Sequence, residues 1–283
     1  MKKFTAFLLT GLMVTSLVGC GSKSAEAPAT DAAAAVEETV EEVAEEVAEA
    51  EEVVEEVVEE AVEADAEVKG EGVMTYAEYA AAELDTEVTV ETYVQAKQGW
   101  WQDAATIYTQ DQDGGYFIYS MAISEEDYAK LVPGTKIKVT GYKSEWSGEV
   151  EITDATFEIE EGSFIATAED VTDLLGTEGL VDSQNKFVAF KGMTVEPSTD
   201  ADGNEVAYLY SWDGSGSDGD DLYFNVSYNG ETYSFTVESY LCDNTTDVYA
   251  AVKNLKVGDT VDMEGFLYWY EGANPHITSV TVK

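Results

Sequence analysis

The feature that most restricts the fold of this chain is an internal repeat. The segment 131–142, LVPGTKIKVTGY, aligns with 255–266, LKVGDTVDMEGF, at a constant offset of 124 residues, and the same offset places Gly148 on Gly272. Both segments alternate apolar and polar residues, which is typical of a strand with one buried face. The repeat therefore predicts two copies of one β-rich domain.

Each copy is predicted to contain the same order of elements. Thr75 with Glu78, and Thr167 with Asp170, have the spacing of a capping box and predict a short opening helix in each copy. Strands are predicted at 88–96, 105–109 and 116–123 in copy one, and at 186–195, 205–212 and 222–242 in copy two, where the last segment is long enough for a hairpin. Helices at 125–131 and 246–255 precede the final two strands of each copy.

The strand pattern also contains one irregularity that the two copies share. In the last strand of each copy the alternation slips phase once, at Thr153-Asp154 and at Thr278-Ser279, as a β-bulge does. Three strands, a helix and two strands is the order of a five-stranded OB-fold barrel. We therefore predict an all-β protein with short helices that contains two tandem OB-fold-like barrels. A pair of β-sandwiches is the alternative architecture.

The pattern Leu-x-x-Gly-x-x-(Ile/Val)-x-(Val/Met)-x-Gly at 131–141 and 255–265 resembles that of many bacterial OB-fold modules. The whole chain resembles lipoproteins of the Gram-positive type that carry tandem modules of this kind. The resemblance covers residues 73–283. It implies a binding face on strands two and three, together with the loops that join strands one and two and strands four and five.

The N-terminus has the composition of an export signal. Lys2 and Lys3 precede an apolar stretch over 4–18 that ends in Leu17-Val18-Gly19-Cys20, and the stretch is too short to span a membrane. The ending resembles the lipobox of bacterial lipoproteins, which implies cleavage before Cys20, diacylation of its thiol and an anchor on the extracytoplasmic face of the cell membrane. An ordinary secretory signal with a chance cysteine is the alternative.

Four regions are predicted from these patterns. They are a signal peptide at 1–20, an acidic stalk rich in Glu, Val and Ala at 21–72, and OB-fold-like domains at 73–162 and 163–283. Apolar residues of the stalk recur at steps of four and three over 36–68, the spacing of a coiled coil. Glutamates nevertheless face one another with almost no lysine between them, which favours a partly helical or disordered spacer.

The charge of the chain is strongly negative. Asp and Glu total 58 against 14 basic residues, and every basic residue is lysine. Because phosphate backbones are bound by cationic side chains, we expect no nucleic-acid partner.

Outside the signal the only cysteine is Cys242, which rules out an internal disulfide in the mature domains and predicts a small buried side chain.

Aromatic residues are concentrated at the predicted loop ends and on the binding strands. The candidate ligand-binding residues are Trp100, Trp101, Tyr108, Tyr119 and Trp146 in copy one, and Tyr208, Tyr210, Trp212, Tyr268, Trp269 and Tyr270 in copy two. Exposed rings can stack on sugars or bases, and nearby acids such as Glu145, Glu149, Asp103 and Glu271 can accept hydrogen bonds from hydroxyl groups. Half-buried packing at the barrel ends is the alternative interpretation.

Other chemistry has weaker support in the sequence. Asp111 with Asp113, and Asp200 with Asp202, resemble the start of a calcium loop but lack its glutamate at position twelve, and hairpin turns use the same residues. His276 has no partner nucleophile in the sequence, so we expect no enzyme and no cofactor.

The leading hypothesis is a non-catalytic lipoprotein that binds a glycan or an envelope component. The alternatives are a structural lipoprotein that makes protein–protein contacts and a weak divalent-cation module.

Overall fold

A computed structural model of the chain describes residues 69–283, which belong to a single compact unit. The predicted signal peptide with Cys20, and residues 21–68 of the predicted stalk, lie outside the described residues. The described part is built of strands with short helices and forms two closed five-stranded barrels, so the predicted fold class is confirmed. Among residues 69–283 no helix has the length and apolar character needed to cross a membrane.

Barrel 1 closes in the strand order β1-β2-β3-β5-β4. Its strands are β1 (Glu87–Lys97), β2 (Ala104–Gln110), β3 (Gly115–Ala122), β4 (Thr135–Trp146) and β5 (Glu149–Ser163). Helix α1 (Tyr76–Ala81) precedes them with the predicted capping box of Thr75 and Glu78. Helix α2 (Glu125–Lys130) connects β3 to β4, and the Ser124 side chain accepts from its first turn.

The core of barrel 1 follows from the alternation in its strands. Val88, Val90 and Val94 of β1 point inward, because successive side chains of a strand lie on opposite faces. They pack against branched aliphatic residues from the other four strands: Ile107, Ile118, Ile137, Val139 and Ile152. Each such burial contributes roughly 1.5–3 kcal/mol to folding.

Barrel 2 repeats this strand order. Its strands are β7 (Phe187–Glu196), β11 (Leu222–Tyr228), β12 (Glu231–Val237), β13 (Thr260–Phe266) and β14 (His276–Val282), and β11 pairs back to β7 to close it. Helix α3 (Asp247–Lys253) is capped by Thr246. Short pieces lie outside the barrel: β6 (Glu169–Asp170), 3₁₀ helices Thr172–Leu174 and Glu178–Ser183, β8 (Ser198–Thr199), β9 (Glu205–Val206) and β10 (Leu209–Tyr210).

Two predictions for copy two are wrong. The helix expected after Thr167 is absent from the described residues, because β6 pairs there with β7 and the Asp170 carboxylate accepts from Thr172 instead. The strand expected over 205–212 is also wrong, since only β9 and β10 pair within it. The hairpin predicted inside 222–242 supplies strands two and three of barrel 2.

The predicted bulges occur in both barrels opposite equivalent glycines. The register shifts between Thr140 and Tyr142 in barrel 1, and between Glu264 and Gly265 in barrel 2. The extra residue drives the last strand against the glycine of the preceding strand. A Cβ on Gly141 would lie 2.7 Å from the carbonyl oxygen of Thr153, so only glycine fits there.

Candidate functional site

The barrels contact each other through a small apolar cluster to which both contribute. Tyr108 and Phe117 of barrel 1 pack against Phe266 of barrel 2, and the rings of Tyr108 and Phe266 are 4.7 Å apart. The Tyr108 hydroxyl is 2.7 Å from Nδ1 of His276. Burial lowers the pKa of His276 to about 3, so its ring is neutral and accepts from or donates to the tyrosine without a buried charge.

Loop backbones tie the barrels together beside this cluster. The amide of Gly99 donates to the carbonyl of Tyr240 over 2.8 Å, and the amide of Glu271 donates to the carbonyl of Ser147 over 2.7 Å. The second bond joins the loop between strands four and five of one barrel to the equivalent turn of the other. The relative placement of the barrels is therefore held by directed contacts.

A buried carboxylate completes the contact between the barrels. Oε2 of Glu149 accepts from the backbone amide of Trp269 over 2.8 Å and from Nε2 of Gln184 over 3.1 Å. No described residue forms a hydrogen bond with its Oε1. Burial raises the pKa of Glu149 to about 8, because the charged form loses its hydration there.

An open cavity of about 720 Å³ lies next to this contact. We call it the interbarrel cleft; its lining residues are Gln98, Phe117, Tyr119, Trp146 and Glu151 of barrel 1, and Trp212, Asp221, Tyr223, Thr236, Glu238, Tyr268, Tyr270, Asn274 and His276 of barrel 2. A volume of this size is within the range of small-molecule sites in proteins. Both copies of the repeat contribute to it.

Exposed aromatic rings from both barrels frame the cleft. Trp146 is 55% exposed and Trp212 is 76% exposed, and Tyr119 and Tyr270 are also exposed. The rings of Trp146 and Tyr270 come from different barrels and are 5.2 Å apart. Large exposed rings in a concave surface are unusual in a monomer and offer stacking faces to a ligand.

Three carboxylates line the same cleft, and no lysine is among its lining residues. Asp221 accepts from the amide and hydroxyl of Ser239, while Oε2 of Glu238 accepts from the amide of Leu241 over 2.8 Å. Burial and the neighbouring charge of Asp221 raise the pKa of Glu238 to about 7. Burial also raises the pKa of Glu151. The cleft therefore combines flat rings with hydrogen-bond acceptors.

The structure brings about half of the predicted ligand-binding residues together. The predicted residues that line the interbarrel cleft are Tyr119, Trp146, Trp212, Tyr268 and Tyr270. Trp101 is 72% exposed and lines a smaller cavity of about 400 Å³ that shares Gln98 and Tyr119 with the cleft. These two cavities are adjacent.

The other predicted residues have packing roles. Tyr108 is buried between the barrels, and Trp100 donates from its indole nitrogen to the carbonyl of Ile123. Tyr208 and Tyr210 pack edge to face with each other and against the core of barrel 2. Trp269 is half-buried against the turn at Gly148. These five side chains therefore pack at or between the barrel ends, as the alternative interpretation of the aromatic residues predicted.

The predicted aspartate pairs stabilise turns in the described structure. Asp111 is buried, forms an ion pair with Lys69 at 2.8 Å, and accepts from the amides of Asp113 and Gly114. Asp200 accepts from the amides of Asp202 and Asn204. Within residues 69–283 no group of three or more His, Cys, Asp or Glu residues could hold a metal ion.

Sequence reasoning did not find several of the cleft residues. The acids expected near the rings were Glu145, Glu149, Asp103 and Glu271, whereas those that line the cleft are Glu151, Asp221 and Glu238. Glu149 is instead buried at the contact between the barrels. No local signal marks the three lining acids, because the cleft exists only where the two barrels meet.

Comparisons with known proteins give the fold alone. No family model and no curated protein matches the chain. Among solved structures, a murine DNA binding protein bound with double-stranded DNA is 10% identical over 69% of this chain and 96% of that chain, with a TM-score of 0.33. A HINa domain in complex with a 20-base-pair double-stranded DNA is 11% identical over 71% and 96%, with a TM-score of 0.32.

A third structure is more distant. It is a deletion mutant of the single-stranded DNA binding protein from Thermus aquaticus, which is 12% identical over 70% of this chain and 93% of that chain, with a TM-score of 0.24. Likenesses at this level assign no ligand to the present chain.

These structures correct one prediction. The expectation of no nucleic-acid partner is contradicted, because the murine protein and the HINa domain are both bound to double-stranded DNA. The prediction rested on the net charge of the whole chain, which governs non-specific attraction. Base stacking on an OB-fold face depends instead on local rings and local charge. Net charge is therefore not a sufficient reason to exclude this partner class.

Proposed function

We propose that this protein is a non-catalytic, lipid-anchored extracytoplasmic protein whose tandem barrels bind a glycan in the interbarrel cleft. One observation carries the proposal: exposed rings from both barrels, among them Trp146 and Trp212, surround a single cavity that three carboxylates also line. Sugar rings present apolar faces that stack on aromatic side chains, and their hydroxyl groups donate to carboxylates.

The shape of the cleft supports a ligand larger than a monosaccharide. The adjacent cavity beside Trp101 extends the same surface, and Tyr240 in that cavity is also exposed. Rings spaced along a groove suit successive units of a chain. We therefore expect affinity to rise with the number of sugar units.

A glycan array followed by calorimetry on the intact protein tests the binding proposal. We expect oligosaccharides to bind, and a single-stranded oligonucleotide is titrated under the same conditions as the competing class of ligand. Trp212→Ala is expected to weaken binding about tenfold, as loss of a stacking ring does. Tyr142→Ala removes an exposed ring of barrel 1 that does not line the cleft and is expected to bind as the native protein does.

Two results contradict the glycan proposal. One is an array without any glycan bound above background. The other is tighter binding of the oligonucleotide that depends on Trp212, which would assign the cleft to nucleic acid. If Trp212→Ala and Tyr142→Ala lose affinity equally, the cleft is not the binding site.

The anchor is proposed from the sequence motif that ends at Cys20. Metabolic labelling with a palmitate analogue is expected to label the native chain and place it in the membrane fraction. Cys20→Ser is expected to lose the label and the membrane association. A native chain that remains unlabelled would contradict the proposed anchor without affecting the glycan proposal.

A further inference from the structure

One carboxylate of the interbarrel cleft has no partner in the described structure. Glu151 is 7% exposed and lines the cleft from β5, yet no described residue forms a hydrogen bond or an ion pair with its side chain. Glu91, another buried acid of barrel 1, pairs instead with Lys136 at 2.7 Å. The fully buried unpaired side-chain oxygens do not include those of Glu151, so its carboxylate opens onto the cleft, where a ligand group can pair with it.

The surroundings of Glu151 define what that group is. Glu238 and Asp221 line the same cleft, and no lysine lines it, so the acidic groups of the site have no cation beside them. The exposed rings of Trp146 and Trp212 lie in the same cavity, and the face of an indole ring attracts a cation. An ammonium group donates to carboxylates as a hydroxyl group does and adds the opposite charge.

We propose that the ligand of the interbarrel cleft carries a protonated amine, as an amino sugar without its acetyl group does, and that Glu151 receives the ammonium group. This inference rests on the proposed glycan binding and narrows it to a class of sugar. Burial raises the pKa of both Glu151 and Glu238, and an ammonium group bound beside them would favour their charged forms.

Calorimetry with two matched ligands tests the assignment. A trisaccharide of glucosamine and the corresponding trisaccharide of N-acetylglucosamine are titrated into the intact protein, at a pH at which the amine is protonated. The measurements are made at about 0.15 M and about 0.5 M salt, so that attraction to the acidic chain as a whole is screened. We expect the free amine to bind about tenfold tighter or more at both salt concentrations.

Three substitutions separate a specific contact from general acidity. Glu151→Gln is expected to abolish the preference for the amine, so that the two trisaccharides bind with similar affinity. Glu151→Asp keeps the charge and is expected to keep part of the preference. Glu158→Gln removes one charge from an exposed position of the same strand, outside the cleft, and is expected to keep the preference in full. Melting temperatures establish that all three variants fold.

The outcomes distinguish this inference from the proposal on which it rests. Equal or tighter binding of the acetylated sugar overturns the ammonium assignment and leaves glycan binding intact. A preference that survives Glu151→Gln, or that Glu158→Gln removes equally, overturns the role of Glu151. Failure of both trisaccharides and of the whole glycan array overturns both proposals.

Discussion

Barrel 1 and barrel 2 share a framework and differ in their loops. Both close five strands in the same order and bulge the last strand against a glycine. Strands four and five are joined in barrel 1 by the tight turn Ser147-Gly148, but in barrel 2 by residues 267–275. Strands one and two are joined by 98–103 in barrel 1 and by 197–221 in barrel 2.

This difference explains how two similar barrels form one asymmetric cleft. The long loops of barrel 2 provide Trp212, Tyr268 and Tyr270, whereas barrel 1 contributes Trp146 from the end of β4. The framework is constrained by close backbone contacts, whereas loops accept insertions at small cost in stability. The binding surface of the proposed function is therefore formed largely by loops that differ between the two barrels.

Substitution of the glycines opposite the bulges is expected to have the largest effect on stability. A Cβ on Gly265 would collide with the carbonyl oxygen of His276 and lie 2.7 Å from Cα of Ile277. Gly265→Ala is expected to lower the free energy of unfolding by about 3 kcal/mol, and Gly141→Ala by about 1–2 kcal/mol. Urea denaturation measures both changes.

A third glycine serves as the control for this comparison. Gly179 is exposed, and the nearest atom to a Cβ there is 3.8 Å away, so Gly179→Ala is expected to change stability by less than about 0.5 kcal/mol. If all three substitutions have equal effects, the shared bulge is not what fixes the framework.

The carboxylate between the barrels predicts a pH dependence. Glu149 keeps its proton in the folded protein up to about pH 8, whereas in the unfolded chain it ionises near its ordinary pKa of about 4.3. Its contribution to stability is therefore complete at low pH and is lost as the pH rises through this window. Glu149→Gln is expected to gain about 3–4 kcal/mol relative to the native protein between pH 5 and pH 8. If the difference in free energy of unfolding between the two proteins is the same at pH 5 and at pH 8, Glu149 is ionised in the folded protein.

His276, at the same contact, makes stability depend on pH in the opposite direction to Glu149. Its pKa in the folded protein is about 3, so the unfolded chain takes up a proton below about pH 6.5 that the folded protein does not. Stability is present at neutral pH and is lost as the pH falls. His276→Gln is expected to lose less stability than the native protein between pH 7 and pH 4.5, measured by urea denaturation at each pH. If the native protein and the variant lose the same free energy of unfolding over this pH range, His276 is not buried as a neutral ring.

Sequence patterns were sufficient for the framework and insufficient for the cleft. Alternation, the Leu-x-x-Gly repeat and the phase slip at Thr278 are local features, so they predicted strands, barrels and bulges. The region 197–221 was misread because its Gly and Asp residues resemble ordinary hairpin turns, although they belong to an insertion. Tyr108 was assigned to a binding face because nothing in the sequence shows that the second barrel covers that face.

The tryptophans of the cleft test whether both copies contribute to binding. Trp146 comes from barrel 1 and Trp212 from barrel 2, and both are exposed in the same cavity. If the cleft is one site, each change to alanine is expected to weaken glycan binding by about 1–2 kcal/mol. Calorimetry of the single and double variants measures their coupling. Loss of affinity in only one of them would confine the site to a single barrel.

The smallest expected effect concerns whether the barrels unfold together. Cys242 lies only in barrel 2 and is buried, and burial raises the pKa of its thiol to about 11. Because the thiolate is the reactive form, alkylation of Cys242 at pH 8 is expected to be about a hundredfold slower in the folded protein than in urea. Peptide mapping after alkylation reports the opening of barrel 2 alone.

Hydrogen exchange in β1 and β4 reports the opening of barrel 1. We expect the two midpoints to coincide within error along a urea series, since Tyr108, Phe266 and Glu149 join the barrels through a shared apolar cluster and a buried carboxylate. Reaction of Cys242 at urea concentrations where β1 is still protected would show that barrel 2 opens first. The cleft would then be a contact between independent domains, and ligand binding would be expected to bring the two midpoints together.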